Sequence, residues 1–166
     1  MIALAPASEA DIAFIMAAER QPGYEEHVGR WDEARHRAAM RDGRHAYFIA
    51  QAGGEAAGFA IVRDWGSPER VAMVKRVAVM APGRGIGRQV MAALVDHVFA
   101  ETDAWRLWLG HFSENIRAHR AYLACGFVAE GIARGSAWFG GVHRDEQIMA
   151  ILRPDWEARR RTALSA

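Results

Sequence analysis

The spacing of apolar residues predicts helices and strands in alternation along the chain. Ile12, Ile15 and Met16 recur at the spacing of one helix face. Ser8, followed by Asp11 three residues later, resembles a capping box at the start of this helix. A second helix is predicted over residues 31–40, after the break at "QPGY".

Short β-rich runs follow the two helices. "HAYFIAQ" and "AAGFAIVRD" flank "AGGE", which predicts a hairpin, and "RVAMVKRVAVM" predicts a third, mostly buried strand. Apolar residues at helical spacing over 90–98 then predict a helix. "WRLWLGHF" predicts a strand and "SENIRAHRAYLAC" a helix, capped by Ser113 or Asn115 and ended by Gly126.

"FVAEGIAR" and "VHRDEQIMAIL" predict the last two strands. This order of elements indicates a mixed α/β sheet with helices on its faces, in a single domain over residues 1–166. We expect Pro154 to close the ordered part and residues from about 155 to 166 to form a frayed tail.

Composition narrows the classes of function. The formal net charge is +1, which gives no overall field to attract nucleic acid or an acidic membrane. Cys125 is the only cysteine, and the histidines lack the spacing of a zinc site. We therefore expect a cytoplasmic protein with no metal, no nucleic-acid partner and no membrane association.

Three glycines mark the junction between the third strand of this pattern and the helix after it. "VAVMAPGRGIGR" places Gly83, Gly85 and Gly87 there, between Arg84 and Arg88. Glycines suit a tight turn, but they also leave backbone N–H groups open to a phosphate at a helix N-terminus. The stretch is neither a Walker loop, which needs Gly-Lys-Ser/Thr, nor a G-x-G-x-x-G fingerprint.

A second group of residues lies on the following helix. Asn115, Ala118 and Tyr122 share one helix face, where a small residue between two polar ones leaves room for a ligand. The alternative is that Tyr122 is an amphipathic core residue whose hydroxyl finds a partner.

Together, the two stretches resemble a known family. "VAVMAPGRGIGRQVM" resembles motif A of the GNAT superfamily of acyl-CoA-dependent N-acetyltransferases, and "NIRAHRAYLACGF" resembles its motif B. The resemblance covers most of the chain and is to the RimJ/RimL-like branch. Pro82 departs from the pattern, because the family usually has Arg or Gln there and proline has no N–H to donate.

The resemblance implies a fold, a reaction and a set of site residues. It implies a mostly antiparallel mixed sheet that is splayed between the fourth and fifth strands. The implied reaction transfers acetyl from acetyl-CoA, a co-substrate, to a primary amine in a ternary complex. The acceptor would be a small molecule or a protein N-terminus. The residues implied to hold the acyl-CoA are Val77, Ala78, Val79, Gly83, Arg84, Gly85, Ile86, Gly87, Arg88, Asn115, Ala118 and Tyr122.

Roles in proton transfer follow in part from the same resemblance. Tyr122 matches the tyrosine that commonly protonates the leaving sulfur. His111 and Glu25 are candidate bases, and a water chain is the alternative to both. Glu25, Glu26 and Asp64 would suit a cationic acceptor.

Other functions remain open at this point. They are transfer of a bulkier acyl group, acyl-CoA sensing without catalysis, and binding of a nucleotide phosphate unrelated to coenzyme A. A homodimer is a further expectation.

Overall fold

A computed structural model describes residues 1–165, which form one seven-stranded sheet and five α-helices. The strands are β1 (Ile2–Pro6), β2 (His45–Ala52), β3 (Glu55–Arg63), β4 (Val71–Val79), β5 (Arg106–Phe112), β6 (Val128–Phe139) and β7 (Val142–Leu152). The helices are α1 (Ile12–Glu19), α2 (Glu33–Arg41), α3 (Ile86–Glu101), α4 (Ile116–Ala124) and α5 (Arg153–Leu164). No helix within residues 1–165 is long and apolar enough to cross a membrane.

The sheet opens between its fourth and fifth strands, as expected. Its order is β1-β2-β3-β4-β5-β7-β6, and all neighbours are antiparallel except β4 and β5, which run parallel. The register of β4 and β5 extends only from Val71 opposite Arg106 to Met73 opposite Trp108. Beyond these positions the two strands part, and a gap opens toward their carboxyl ends.

Helices cover both faces of the sheet. On one face, α3 packs its apolar stripe, which includes Leu94 and Val98, against Leu107 of β5. We call this the α3 face. On the other face, α1 packs against β3 through Ile15 and Phe59, which are both fully buried. We call this the α1 face. The mixed α/β fold with helices on both faces is therefore confirmed.

A β-bulge changes the direction of side chains along β4. Ile61 of β3 lies opposite Arg76, whereas its neighbour Val62 lies opposite Val74, so Lys75 is an extra residue. Lys75 and Arg76 consequently project from the same face. Both lie over the Trp31 ring on the α1 face, with Arg76 Cζ 4.7 Å and Lys75 Nζ 6.0 Å from its centroid.

Two elements differ from the sequence prediction. β1 was missed, and it pairs antiparallel with β2 at the edge of the sheet. The prediction of a frayed tail was wrong for residues 155–164, which belong to α5. Pro154 lies in the first turn of that helix and does not end the fold. Trp156 stacks on Phe99 at 5.3 Å and donates from Nε1 to Asp96 at 2.7 Å. Ala166, the end of the predicted tail, lies outside the described residues.

Candidate active site

The glycine turn between β4 and α3 is open. Gly83 and Gly85 have φ values of 95° and 77°, which favour glycine, and Gly85 is the N-cap of α3. A Cβ built on Gly83, Gly85 or Gly87 meets no atom within 4 Å. No side chain caps α3, so the first N–H groups of the helix stay available at its positive end. The turn therefore fits a diphosphate group.

The edge of β4 that faces the gap carries backbone groups that no neighbouring strand pairs. Ala78 lies opposite Phe59, and Met80 donates to the Ala57 carbonyl at 2.8 Å, so these positions bond toward β3. Because alternate residues of a strand point their N–H and C=O groups to opposite edges, Val77 and Val79 point theirs into the gap. Of the three strand residues expected to hold the acyl-CoA, Val77 and Val79 thus turn their backbone groups to the gap, whereas Ala78 turns its own to β3.

A tyrosine that the sequence reasoning missed reaches this edge. The Val79 N–H donates to the Tyr24 hydroxyl at 3.3 Å, from the loop between α1 and α2. Burial raises the pKa of Tyr24, so it remains a neutral phenol that can donate in turn. Tyr24 therefore places a hydroxyl beside one of the two amides that β4 presents to the gap.

Tyr122 lies on α4 beside the same gap. Its ring is 5.7 Å from the ring of His111 on β5 and 6.1 Å from that of Phe127. Burial, followed by the nearby Tyr24 and Cys125, raises the pKa of Tyr122 to about 12. The phenol is consequently protonated throughout the neutral range, as an acid requires.

Asn115 begins the helix that carries Tyr122. Its side-chain oxygen accepts from the Ala118 N–H at 3.2 Å, which confirms the predicted N-cap. Gly126, with φ of 98°, follows the C-cap. Ala118 and Asn115 therefore lie about one and two turns before Tyr122, on the same helix face.

His111 is buried and has both ring nitrogens engaged. Nδ1 lies 2.9 Å from the Phe112 carbonyl, and because a carbonyl only accepts, Nδ1 carries the hydrogen. Nε2 lies 3.0 Å from Nδ1 of His119 on α4, so His119 donates and His111 accepts. Burial, and to a lesser extent His119, lowers the pKa of His111 and keeps the imidazole neutral.

Glu25 is held within its own turn. Its fully exposed carboxylate accepts from the Gly23 N–H at 2.8 Å, and backbone hydrogen bonds lower its pKa. Among the hydrogen bonds of residues 1–165, none joins Glu25 to Tyr122 or His111. The structure thus brings His111 but not Glu25 next to Tyr122.

Arg144 on β7 joins three segments on the α1 face. Its guanidinium donates to the Glu26 carbonyl at 2.7 Å and pairs with Glu114 just before α4. Its Cζ also lies 3.6 Å above the Phe112 ring at the end of β5. This contact fixes the loop between α1 and α2 beside the open end of the gap. Sequence spacing gave no signal for it.

Comparison with known proteins identifies the family. A family model described as the acetyltransferase (GNAT) family matches residues 12–127. The chain belongs to the GNAT acetyltransferase family. Within it, 75 residues are 37% identical to the probable N-acetyltransferase YjcK of Bacillus subtilis (strain 168), a match that covers 45% of this chain. The matched segment spans 41% of YjcK, so this chain aligns with less than half the length of that relative.

Solved structures support the same GNAT fold. A chimera of Vibrio cholerae spermidine N-acetyltransferase SpeG and hSSAT superimposes with a TM-score of 0.81 at 20% identity, covering 94% of this chain and 98% of the other. The V. cholerae spermidine N-acetyltransferase in complex with CoA and spermine gives a TM-score of 0.79 at 20% identity, with the same coverage of 94% and 98%. At this identity, the similarity establishes the fold alone.

Proposed function

We propose that this GNAT protein is an acyl-CoA-dependent N-acetyltransferase that moves acetyl from acetyl-CoA to a primary amine by direct attack in a ternary complex. One observation carries the proposal: the open glycine turn, the bare edge of β4 and the protonated Tyr122 all border the same gap in the sheet. Tyr24 connects two of them, since its hydroxyl accepts from Val79 and it influences the pKa of Tyr122.

The residues that would hold the co-substrate divide between two segments. The N–H groups from Gly83 to Arg88 would bind the diphosphate, supported by the exposed side chains of Arg84 and Arg88. The free edge of β4 at Val77 and Val79 would bind the extended arm through strand-like hydrogen bonds. When bound, acetyl-CoA supplies an activated acetyl thioester. Asn115 and Ala118 would border it from α4.

Proton transfer needs an acid and an acceptor. Tyr122 Oη keeps its proton at neutral pH and can deliver it to a thiolate leaving the gap. His111 and Glu25 remain proposals for the proton acceptor. His111 lies beside Tyr122, but its Nε2 lone pair accepts from His119 and must be released from that hydrogen bond before it can take a proton. An unchanged pH–rate profile in His111→Gln would leave this role to water.

The finer assignments are proposals as well. The motif pair supports the RimJ/RimL-like branch, and the composition supports a cytoplasmic location. The spermine bound in the V. cholerae structure supports a small amine as acceptor. A peptide N-terminus as acceptor and assembly into a homodimer are also proposals.

The decisive experiment compares wild type with Tyr122→Phe, which removes one oxygen atom. Thiol release from acetyl-CoA is measured across a panel of amines, and acetyl-CoA affinity is measured by calorimetry. We expect kcat to fall by about 10²-fold while affinity is unchanged. Equal turnover by the two proteins would remove Tyr122 as acid. Tight acetyl-CoA binding without turnover of any amine by wild type would contradict the proposed reaction.

A further inference from the structure

Lys75 is the single lysine of this chain, in which all other basic side chains except histidine are arginine. It is the extra residue of the β4 bulge, two residues beyond the last position at which β4 and β5 pair. Its side chain is half-buried on the α1 face, and within residues 1–165 it forms no hydrogen bond or ion pair. A flexible ammonium group therefore lies over the Trp31 ring, where the gap opens, without an anion or hydrogen-bond acceptor among the described residues.

The surroundings of Lys75 are positively charged. Burial lowers its pKa first, and Arg76 and Arg63 lower it further. Arg35 acts in the same direction, and its Cζ lies 4.3 Å from the centroid of the Trp31 ring. Glu146 opposes these cations, and Arg76 and Arg63 are paired with Glu19 and Asp64, so the uncompensated positive charge is that of Lys75 and Arg35. An acceptor with a second ammonium group would meet repulsion here, whereas an anionic group would be attracted.

Glu146 faces the same space from β7. It lies opposite Phe112 of β5, and its Oε2 accepts from the Ser136 hydroxyl at 2.7 Å. Its Oε1 lies over Gly110, where a Cβ would be only 2.8 Å away, so the absence of a side chain at that residue makes room for the carboxylate. Within the described residues, Oε1 receives no hydrogen bond, so it is free to bind an ammonium group.

Two of the three acids that suggested a cationic acceptor have other partners for their carboxylates. Asp64 Oδ1 accepts two hydrogen bonds from Arg44, at 3.1 and 2.9 Å, and Glu25 accepts from its own turn. Glu26 accepts from Arg144 through its backbone carbonyl, and its carboxylate is exposed to solvent. Lys75 and Glu146 Oε1 form no hydrogen bond within the described residues, and both side chains project on the α1 face beside the gap.

We propose, on the basis of the transferase function proposed above, that the acceptor is a small amine that also carries a carboxylate or a similar anionic group. Lys75 binds the anionic group, and Glu146 Oε1 holds the ammonium group before it is deprotonated. This acceptor class differs from the polyamines named for the V. cholerae structures.

A matched series of acceptors tests the proposal. 5-Aminovalerate, pentylamine and cadaverine share a five-carbon chain and a primary amine, and they differ only in the charge at the far end. We expect wild type to acetylate 5-aminovalerate with a kcat/KM at least tenfold above the other two. Lys75→Met should abolish this preference, Lys75→Arg should retain most of it, and Lys75→Glu should favour cadaverine. Arg161→Gln, which removes an exposed positive charge from the last turn of α5, serves as control.

A binding measurement separates this proposal from the proposed reaction. Because the chain has one lysine, 13C-lysine labels Lys75 alone, and its Cε resonance reports on the ammonium group without any turnover. We expect 5-aminovalerate to shift this resonance and pentylamine to leave it in place.

Each combination of results has a defined meaning. A preference for cadaverine in wild type, or the same ranking in Lys75→Met, would overturn the anionic acceptor while leaving the transferase intact. A resonance shift in a protein that acetylates no amine would support the anion site and refute the reaction. If 5-aminovalerate neither shifts the resonance nor is preferred as a substrate, the inference is overturned.

Discussion

A glutamate at Gly85 tests whether the glycine turn binds the diphosphate. In the free protein this substitution has room, because a Cβ at Gly85 meets nothing within 4 Å. The backbone opposes it, since φ is 77° and a non-glycine residue in the left-handed region costs roughly 1–2 kcal/mol. At roughly 2–4 °C per kcal/mol for a domain of this size, Tm should fall by about 2–8 °C and the fold should survive.

The loss of affinity should be larger than the loss of stability. Two unit charges about 4 Å apart repel by roughly 1 kcal/mol in water and roughly 4 kcal/mol at an effective dielectric constant of about 20. Because Gly85 is exposed, each pair of charges should repel by the lower value, roughly 1 kcal/mol. A diphosphate carries two negative charges, so the two repulsions add. A penalty of about 2 kcal/mol corresponds to a roughly 30-fold weaker Kd.

Isothermal titration with acetyl-CoA measures this loss of affinity, and two further variants serve as controls. Gly43→Glu introduces the same charge at another left-handed glycine, with φ of 72° and open space around it. Gly43 is a suitable control because it lies far from the glycine turn. It precedes β2 at the end of the sheet where Arg63 pairs with Met73, whereas the turn follows Val79 at the opposite end. Gly85→Gln keeps the size and removes the charge. If Gly85→Glu binds acetyl-CoA within threefold of Gly43→Glu, the turn does not hold the phosphates.

Three further predictions concern the acid, a buried ion pair and the loop contact. Because burial raises the pKa of Tyr122 to about 12, kcat should show no alkaline decline below about pH 10, and a fall near pH 8.5 would contradict an acid role. Glu19→Gln leaves the half-buried Arg76 and the buried His36 without their carboxylate, which should cost roughly 3–5 kcal/mol, and a Tm within 2 °C of wild type would contradict this. Arg144→Ala should raise the KM for the amine several-fold without changing acetyl-CoA affinity, and an effect on affinity alone would exclude a role at the acceptor side.

Sequence reasoning located the parts of the site that are local in the chain. The glycine turn, the Asn115 cap and Gly126 each depend on residues within one or two turns of themselves, so their pattern can be read directly. The resemblance added the splayed sheet. Pro154 misled the reasoning because proline both ends a preceding element and suits the first turn of a helix.

The acceptor side could not be predicted, because its residues meet only through sheet register. Arg144 and Glu26 are 118 positions apart, and Glu146 becomes a candidate only when Gly110 is known to lie beneath its carboxylate. Lys75 was unremarkable in the string "AMVKRVAV", which predicts a strand with alternating faces. In a regular strand, neighbouring side chains point to opposite faces, so the sequence alone would place Lys75 and Arg76 on different faces. Only the bulge shows that they share one.

The bulge also offers a physical reason for the gap itself. Parallel pairing of β4 with β5 ends at Met73, and the extra residue follows at Lys75. A bulge bends its strand and increases the local twist, so β4 turns away from β5 as soon as the bulge is reached. After it, Val77 and Val79 present backbone groups to the gap, while Lys75 is already on the α1 face. One inserted residue thus separates the strands, leaves the backbone groups of Val77 and Val79 without a strand partner, and places a cation on the side from which we expect the acceptor to enter.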